Sequence, residues 1–154
     1  MAEEVKILIF KLGDQCFAAD IKEVERILNY DEPTRLPDSE EFLEGVINYQ
    51  DGILPVINLR KKFNIESENP EENGSIIVAS DGESTLGIIV DSVNEVISMD
   101  LNQLENTPAI SSNISKRYIR GIIKDKSKNM IILLLKLNEL LSLEEKEKIG
   151  SIEG

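Results

Sequence analysis

The sequence predicts an all-β chain built as two small barrels, and three observations carry that prediction. Short apolar runs of strand-forming residues recur along the 154 residues, with turn signals about every 8–12 residues and little helical periodicity. One of them is a strong hairpin signal: Asp51-Gly52 between Val46-Ile47 and the run Ile53 to Leu59. The third observation is an internal repeat that divides the chain into two halves of similar pattern.

Taken in order, Val5 to Leu12 reads as a strand apolar on both faces, Gly13-Asp14 as a turn, and Gln15 to Ala19 as a return strand. Asp20 is placed to cap a short helical turn through Lys22 and Glu23, and Val24 to Leu28 is strand again. A loop follows through Pro33 and Pro37, and Asp38-Ser39 is expected to start one turn of helix through Phe42. In the hairpin, Gly52 is expected to supply the positive φ of the turn. Pro55 lacks an N–H for a ladder, so its strand is expected at a sheet edge or with a bulge. Lys61-Lys62-Phe63 suggests a short helical turn, and the acidic stretch Asn64 to Gly74, broken by Pro70, a loop.

Ser75 to Ala79 and Leu86 to Val90 read as strands around an Asp81-Gly82 turn, followed by a strand over Val93 to Ile97. Leu101 to Ser115 is expected to be a polar loop, and Tyr118 to Ile123 and Met130 to Leu135 two strands joined by the charged turn Lys124 to Asn129. Leu137 to Ile149 is expected to form a closing helix, with Leu137, Leu140 and Leu141 on one face and a capping box from Ser142 to Glu145.

In the repeat, Phe17 to Ile27 lines up with Leu86 to Val96, and Phe42 to Ile47 with Tyr118 to Ile123. An apolar strand closes each half, Ile53 to Leu59 and Met130 to Leu137, and the offset drifts only from 69 to 76 residues. The halves are expected at about 12–65 and 75–143 within a single domain of 1–150, with the strand at 5–12 available to complete either barrel. Gly45 and Gly121 fall at equivalent positions, where the chain is expected to bend or pack closely.

Composition excludes several classes. A net charge of −12 offers no basic patch to a nucleic-acid backbone or an anionic membrane surface. No run of about 18 apolar residues reads as a membrane span, and the acidic N-terminus does not read as a signal peptide. The compartment expected is the cytoplasm, where the Asn-x-Ser triplets at Asn73 and Asn113 would go unglycosylated. Cys16, the single cysteine, has no internal disulfide partner and reads as a small apolar filler. There is no His, which removes Ser-His-Asp and Cys-His catalysis and most zinc sites.

Little chemistry remains. Asp91-Ser92 resembles the start of an aspartic-protease motif, but Val93 replaces the Gly and the repeat counterpart of Asp91 is Lys22, so it reads as a strand-end turn. Glu144 to Lys148 reads as a solvated helix end. No phosphate loop, Cys cluster or calcium-loop spacing occurs. The sequence therefore points to a non-enzyme with no cofactor.

The order Phe10-Lys11-Leu12-Gly13-Asp14, Ile21-Lys22-Glu23-Val24, Gly45-Val46-Ile47-Asn48, Ile53 to Arg60, Leu86 to Val96 and Tyr118-Ile119-Arg120-Gly121 resembles the CheW family. That family comprises the adaptors that couple chemoreceptors to a histidine kinase in bacterial chemotaxis. The resemblance covers roughly Ile7 to Leu143. It implies two intertwined SH3-like five-stranded barrels with a C-terminal helix. It implies a scaffold that binds the kinase regulatory domain on one surface and the helical cytoplasmic tip of a chemoreceptor in the groove between barrels. The protein would be monomeric in isolation and would associate with receptor arrays at the inner membrane without inserting. A small-ligand-binding β-barrel is the alternative, because barrels can enclose cavities.

Carried over residue by residue, the partner-binding positions are Val24 with its neighbours Arg26 and Ile27, then Gly45, then Asn48, Gln50, Asp51 and Ile53 around the hairpin turn. In the second half they are Gly87, Val93 and Val96. For the valines and isoleucines, core packing is the competing reading; for the glycines, a backbone requirement. This chain departs from the family twice. Asn48-Tyr49-Gln50-Asp51 stands where Asn-Leu-Arg-Gly is common, and Arg26 stands where Glu is common. A pair between Arg26 and Asp51 is the expected consequence.

Overall fold

The computed structural model describes residues 4–65, 74–80, 84–106, 118–125 and 129–140. Ten strands form two five-stranded sheets: β1 (Glu4–Leu12), β2 (Gln15–Asp20), β3 (Val24–Asn29), β4 (Leu43–Tyr49), β5 (Gly52–Asn58), β6 (Ser75–Ser80), β7 (Thr85–Val90), β8 (Ser92–Asp100), β9 (Ile119–Asp125) and β10 (Met130–Leu135). One sheet runs β8-β1-β2-β10-β9 and the other β3-β6-β7-β5-β4. The all-β class and the two intertwined five-stranded units are as expected. Each sheet takes strands from both halves of the sequence, so the chain crosses between them twice.

The crossings differ. After β2, Asp20 caps a single 3-10 turn, Ile21–Glu23, its carboxylate accepting the Lys22 amide at 3.0 Å. After β7, the lone residue Asp91 makes the turn into β8, its amide donating to the Lys11 carbonyl at 3.0 Å.

The registers of the two sheets correspond strand by strand. Leu8 lies between Ala19 and Val96 in one sheet, as Ile77 lies between Ile88 and Ile27 in the other. Parallel pairing sets Leu134 against Ala18 and Val56 against Gly87. Both hairpins bulge at the same place, between Leu43 and Gly45 opposite Ile57 and Val56, and between Leu134 and Leu135 opposite Gly121 and Ile119. Just past each bulge an outlying residue pairs with the hairpin: Thr34 with Val46, and Glu105 with Ile122.

Strand alternation sorts the apolar side chains into three cores. One face of each sheet encloses its own cluster, Ile7, Ile9, Ala18, Ile123, Ile132 and Leu134 in the first, Ile47, Leu54, Val56, Ile76, Val78 and Ile89 in the second. The opposite faces meet in a central cluster that contains Leu8, Phe10, Phe17, Ile57, Phe63, Ile77 and Ile88. An aromatic row runs through it, Phe10 to Phe17 to Phe63 to Tyr118, with centroids 5.9, 6.0 and 5.9 Å apart. Phe63 belongs to α1 (Leu59–Phe63), a short helix capped by the Asn58 carboxamide and ended by Asn64 at φ +57°. It puts the predicted turn at Lys61 to Phe63 into the seam between the sheets.

Three expectations are corrected. The hairpin turn is Gln50-Asp51, with Gln50 at φ +53°, and Gly52 already pairs with Tyr49 inside β5. β5 is an interior strand, between β7 and β4. Pro55 is tolerated there because Val46 directs its N–H and C=O to Thr34, which makes Val46–Pro55 a non-hydrogen-bonded pair. The missing donor therefore faces β7, whose pairing begins only at Val56. Asp38 starts no helix: it adopts φ +57°, and the segment to Phe42 consists of turns, with Leu43 donating to the Glu40 carbonyl at 3.0 Å. After β10, Leu137–Glu139 is a 3-10 turn whose Leu137, with Leu140, fills the central core. The rest of the expected closing helix, with Leu141, Ser142 and Glu145, lies outside the described residues, as do Asp81-Gly82 and most of the three loops after α1, after Gln103 and within the β9–β10 hairpin.

Candidate functional site

Among the described residues, four large aliphatic side chains are markedly exposed: Ile27 and Ile53 at 42%, Val96 at 50% and Ile131 at 62%. They are two positions, each present twice. Ile27 on the edge strand β3 has Val96 on the edge strand β8 as its counterpart in register. Ile53 stands three residues before Val56 in β5, and Ile131 three before Leu134 in β10, the two residues opposite the bulge glycines. Each sheet thus presents one aliphatic residue on its edge strand and one at the start of its hairpin's second strand.

In the second sheet the edge strands β3 and β4 are brought together at the Tyr49 side chain. Tyr49, at the tip of β4, packs against the interior cluster, as Leu28 and Tyr30 do, and donates its hydroxyl to the Glu25 carboxylate at 2.5 Å. The Arg26 guanidinium lies over the same ring, 5.9 Å from its centroid. Partial burial and the Glu25 carboxylate raise the Tyr49 pKa, so the phenol remains a donor at neutral pH. Alternation turns Ile27, Asn48 and Ile53 outward around this closure, with Arg26, Gln50 and Asp51 exposed at its rim.

The expected Arg26–Asp51 pair does not form. Arg26 stacks on Tyr49 instead, and no carboxylate among the described residues lies within ion-pair range of it. The bulge explains the difference: it falls between Val24 and Arg26 and turns the guanidinium toward the tyrosine ring rather than along the hairpin.

The remaining sequence-predicted positions lie deeper. Val24 and Val93, counterparts in register, are half-buried against the central core. Gly45, at φ +145°, is buried where a Cβ would stand 2.1 Å from the Thr34 carbonyl oxygen. Gly87 is buried inside its barrel, where a Cβ would press on Ile76, Leu54 and Val56 at 3.1 Å each. The structure therefore leaves Arg26, Ile27, Asn48, Gln50, Asp51, Ile53 and Val96 exposed. Gly45 is a backbone requirement, and Gly87 a position of close side-chain packing.

Sequence reasoning missed Glu25, Tyr49 and Ile131. The repeat carried the signal for Ile131, since it matches Met130 to Leu137 with Ile53 to Leu59. Nothing in the pattern marked Tyr49, whose role depends on barrel closure.

The sheets are fixed to each other by charge as well as by packing. Asp91 accepts the Gly13 amide at 2.6 Å and is ion-paired to Arg60, a buried residue of α1. Glu23 is half-buried beside the last 3-10 turn and accepts the Asn138 amide at 3.0 Å. Desolvation raises its pKa, against the backbone donors of Asn138 and Leu137 that lower it. An open groove of about 400 Å³ lies beside Ile131, lined by Asp14, Gln15, Cys16, Met130 and Leu133. Among the described residues no cluster of three or more His, Cys, Asp or Glu is placed to hold a metal.

The model of the CheW-like domain matches residues 6–145. The chain is 31% identical over 147 residues to the chemotaxis protein CheW of Klebsiella aerogenes, covering 96% of this chain and 87% of that one. It is 33% identical over 144 residues to the chemotaxis protein CheW of Thermotoga maritima, covering 93% of each. The crystal structure of the scaffolding protein TtCheW from Thermoanaerobacter tengcongensis superposes with a TM-score of 0.83 at 32% identity, over 95% of this chain and 93% of that one.

Proposed function

This chain belongs to the CheW family, and from that premise we propose that it is a non-enzymatic adaptor in bacterial chemotaxis that couples chemoreceptors to a histidine kinase. One surface takes the kinase regulatory domain. Another takes the cytoplasmic tip of a chemoreceptor, a helix laid into an apolar groove. The observation that carries this reading is the duplicated aliphatic pair, Ile27 with Ile53 and Val96 with Ile131, held exposed at equivalent points of the two sheets. Exposed aliphatics in register on a rigid scaffold are what a protein-docking surface needs.

The residues proposed for partner contact are Ile27, Asn48, Gln50, Asp51 and Ile53 on one sheet and Val96 on the other. Val24 and Val93 support them from below, Gly45 acts through the backbone and Gly87 through close packing of its barrel. The protein works in the cytoplasm at receptor arrays. Consistent with that, no helix among the described residues is long and apolar enough to cross a membrane.

The test is an NMR titration of labelled protein with the kinase regulatory domain and then with a receptor-tip fragment from the same organism. Two separate sets of shifting residues, one including Gln50, support the coupling role. Kinase binding with the Gln50 surface silent removes the receptor half of the reading. No shift with either removes it entirely.

A further inference from the structure

Ile131 is the most exposed of the four large aliphatic residues, at 62%, and it lines an open groove of about 400 Å³. The lining grades from buried Cys16 through half-buried Met130 and Leu133 to Asp14 and Gln15, which are exposed at the β1–β2 turn. It is not duplicated. In register, Cys16 and Met130 correspond to Thr85 and Gly52, so the second sheet carries neither apolar residue. The turn at the rim is held in place. Gly13, just before Asp14, donates its amide to the Asp91 carboxylate at 2.6 Å, and the Asp91 amide donates to the Lys11 carbonyl at 3.0 Å. Asp91 is itself anchored by its ion pair to buried Arg60. The Asp14 carboxylate makes no hydrogen bond or ion pair with any described residue, although Lys11 stands opposite Cys16 in register. A fixed turn that holds an unpaired carboxylate beside an apolar groove complements a cation that arrives with an aliphatic group.

We propose that this groove docks a protein segment that seats an aliphatic side chain against Met130 and Ile131 and sets an adjacent Lys or Arg on Asp14. The net charge of −12 acts in the same direction, steering basic segments toward the protein. The aliphatic contact supplies the affinity, and Asp14 chooses among aliphatic segments. An exposed ion pair contributes little by itself, whereas a like charge pressed onto the same place is unfavourable, so most of the choice is exclusion of acidic segments. The proposal deepens the docking reading of Ile131 and rests on the adaptor reading only in taking the occupant to be a protein.

The test pans a display library of short random peptides on the intact protein and counter-selects it on Ile131→Gln, a substitution at an exposed position. Peptides that depend on Ile131 are expected to join an aliphatic residue to Lys or Arg. They should move the methyl resonances of Met130 and Ile131 and leave that of Ile53 unmoved. Asp14→Asn should weaken them about two- to fivefold, and Asp14→Lys should turn the selected charge to Asp or Glu. A pool with no dependence on Ile131, or one whose charge Asp14→Lys does not change, overturns the proposal. So does a dimer in sedimentation equilibrium that Ile131→Gln dissolves, since the occupant would then be a second copy of this chain. Basic peptides seated in the groove together with native partners that fail to bind would sink the adaptor reading and leave the groove intact. Native partners that bind while Met130 and Ile131 stay unmoved, with no Ile131-dependent pool, would do the reverse.

Discussion

The Tyr49 hydroxyl donates to the Glu25 carboxylate at 2.5 Å, joining the tip of one hairpin to the edge strand at the far side of the same five-stranded sheet. Among the described residues β3 and β4 are the two ends of this sheet and are not paired with each other, so the bond links its two edges. Tyr49→Phe keeps the ring under Arg26 and removes the bond. Because the site is largely exposed, the expected loss is about 1 kcal/mol or less in urea unfolding. Tyr49→Ala also removes its packing against the interior cluster of this sheet and should lower stability by more than the Phe variant. Equal stability of all three proteins would mean that the wall closes without the tyrosine.

Asp91 and Arg60 make the corresponding tie between the two sheets. Their side chains are 25% and 10% exposed, and Asp91 also holds the Gly13 amide of the β1–β2 turn. Removing the carboxylate leaves a buried guanidinium without its counter-ion, and two of its nitrogens, Nε and Nη1, already lack a partner. Asp91→Ala should therefore destabilise by about 3 kcal/mol. The double variant Arg60→Met, Asp91→Ala should recover part of that loss, since no uncompensated charge remains. A double variant no more stable than Asp91→Ala would show that the Gly13 bond, not the ion pair, carries the effect.

How much of this was legible depends on what each residue responds to. Periodicity placed nearly every strand, because alternation reports directly on which face is buried. The order of residues was enough to match Ile27 with Val96 and Gly45 with Gly121, and the sheet registers set the same residues opposite the same neighbours. Three features were out of reach for one reason. Pro55 sits in an interior strand because Thr34 pairs with Val46; Gln50 rather than Gly52 takes the left-handed conformation; and Arg26 turns to Tyr49 at a bulge. The first and third depend on a partner from elsewhere in the chain and the second on the register of the hairpin, none of which local propensity reports. At the candidate site, the charge reversal at Arg26 was readable as a departure from the family, whereas the exposure of Ile131 needed the closed sheet.

Gly45 and Gly121 mark the two hairpin bulges, and they should not be equally intolerant. At Gly45, φ is +145° and an added Cβ would meet the backbone carbonyl of Thr34 at 2.1 Å, neither of which a side-chain rotation relieves. At Gly121 the closest obstacle is the Leu104 side chain at 2.5 Å, which can move, with the Glu105 carbonyl at 2.9 Å behind it. Gly45→Ala is expected to destabilise by about 3 kcal/mol or more, and Gly121→Ala by about 1–3 kcal/mol. Thermal unfolding of the two variants checks the order, and a Gly121 variant less stable than the Gly45 variant would contradict it.

Glu23 should give the fold a pH dependence of unusual sign. Its carboxyl sits half-buried between the first crossing and the last 3-10 turn, with Asp20 and Arg120 facing it, and burial raises its pKa above the ordinary 4.5. A carboxyl with a raised folded-state pKa holds its proton more firmly when folded than when unfolded. Its contribution is therefore most favourable below the unfolded value, falls as pH rises through the window between the two, and is constant above it. Carboxylates stabilised as anions in the fold do the opposite, so the stability of wild type alone is not diagnostic. The difference from Glu23→Gln is. Gln retains an oxygen to accept the Asn138 amide but has no proton to lose. The stability of Glu23→Gln relative to wild type should rise with pH from about 4.5 upward and then level off above the raised folded-state pKa. A difference that is flat across that range, or that falls as pH rises, would mean that the amides of Leu137 and Asn138 outweigh burial at this carboxyl.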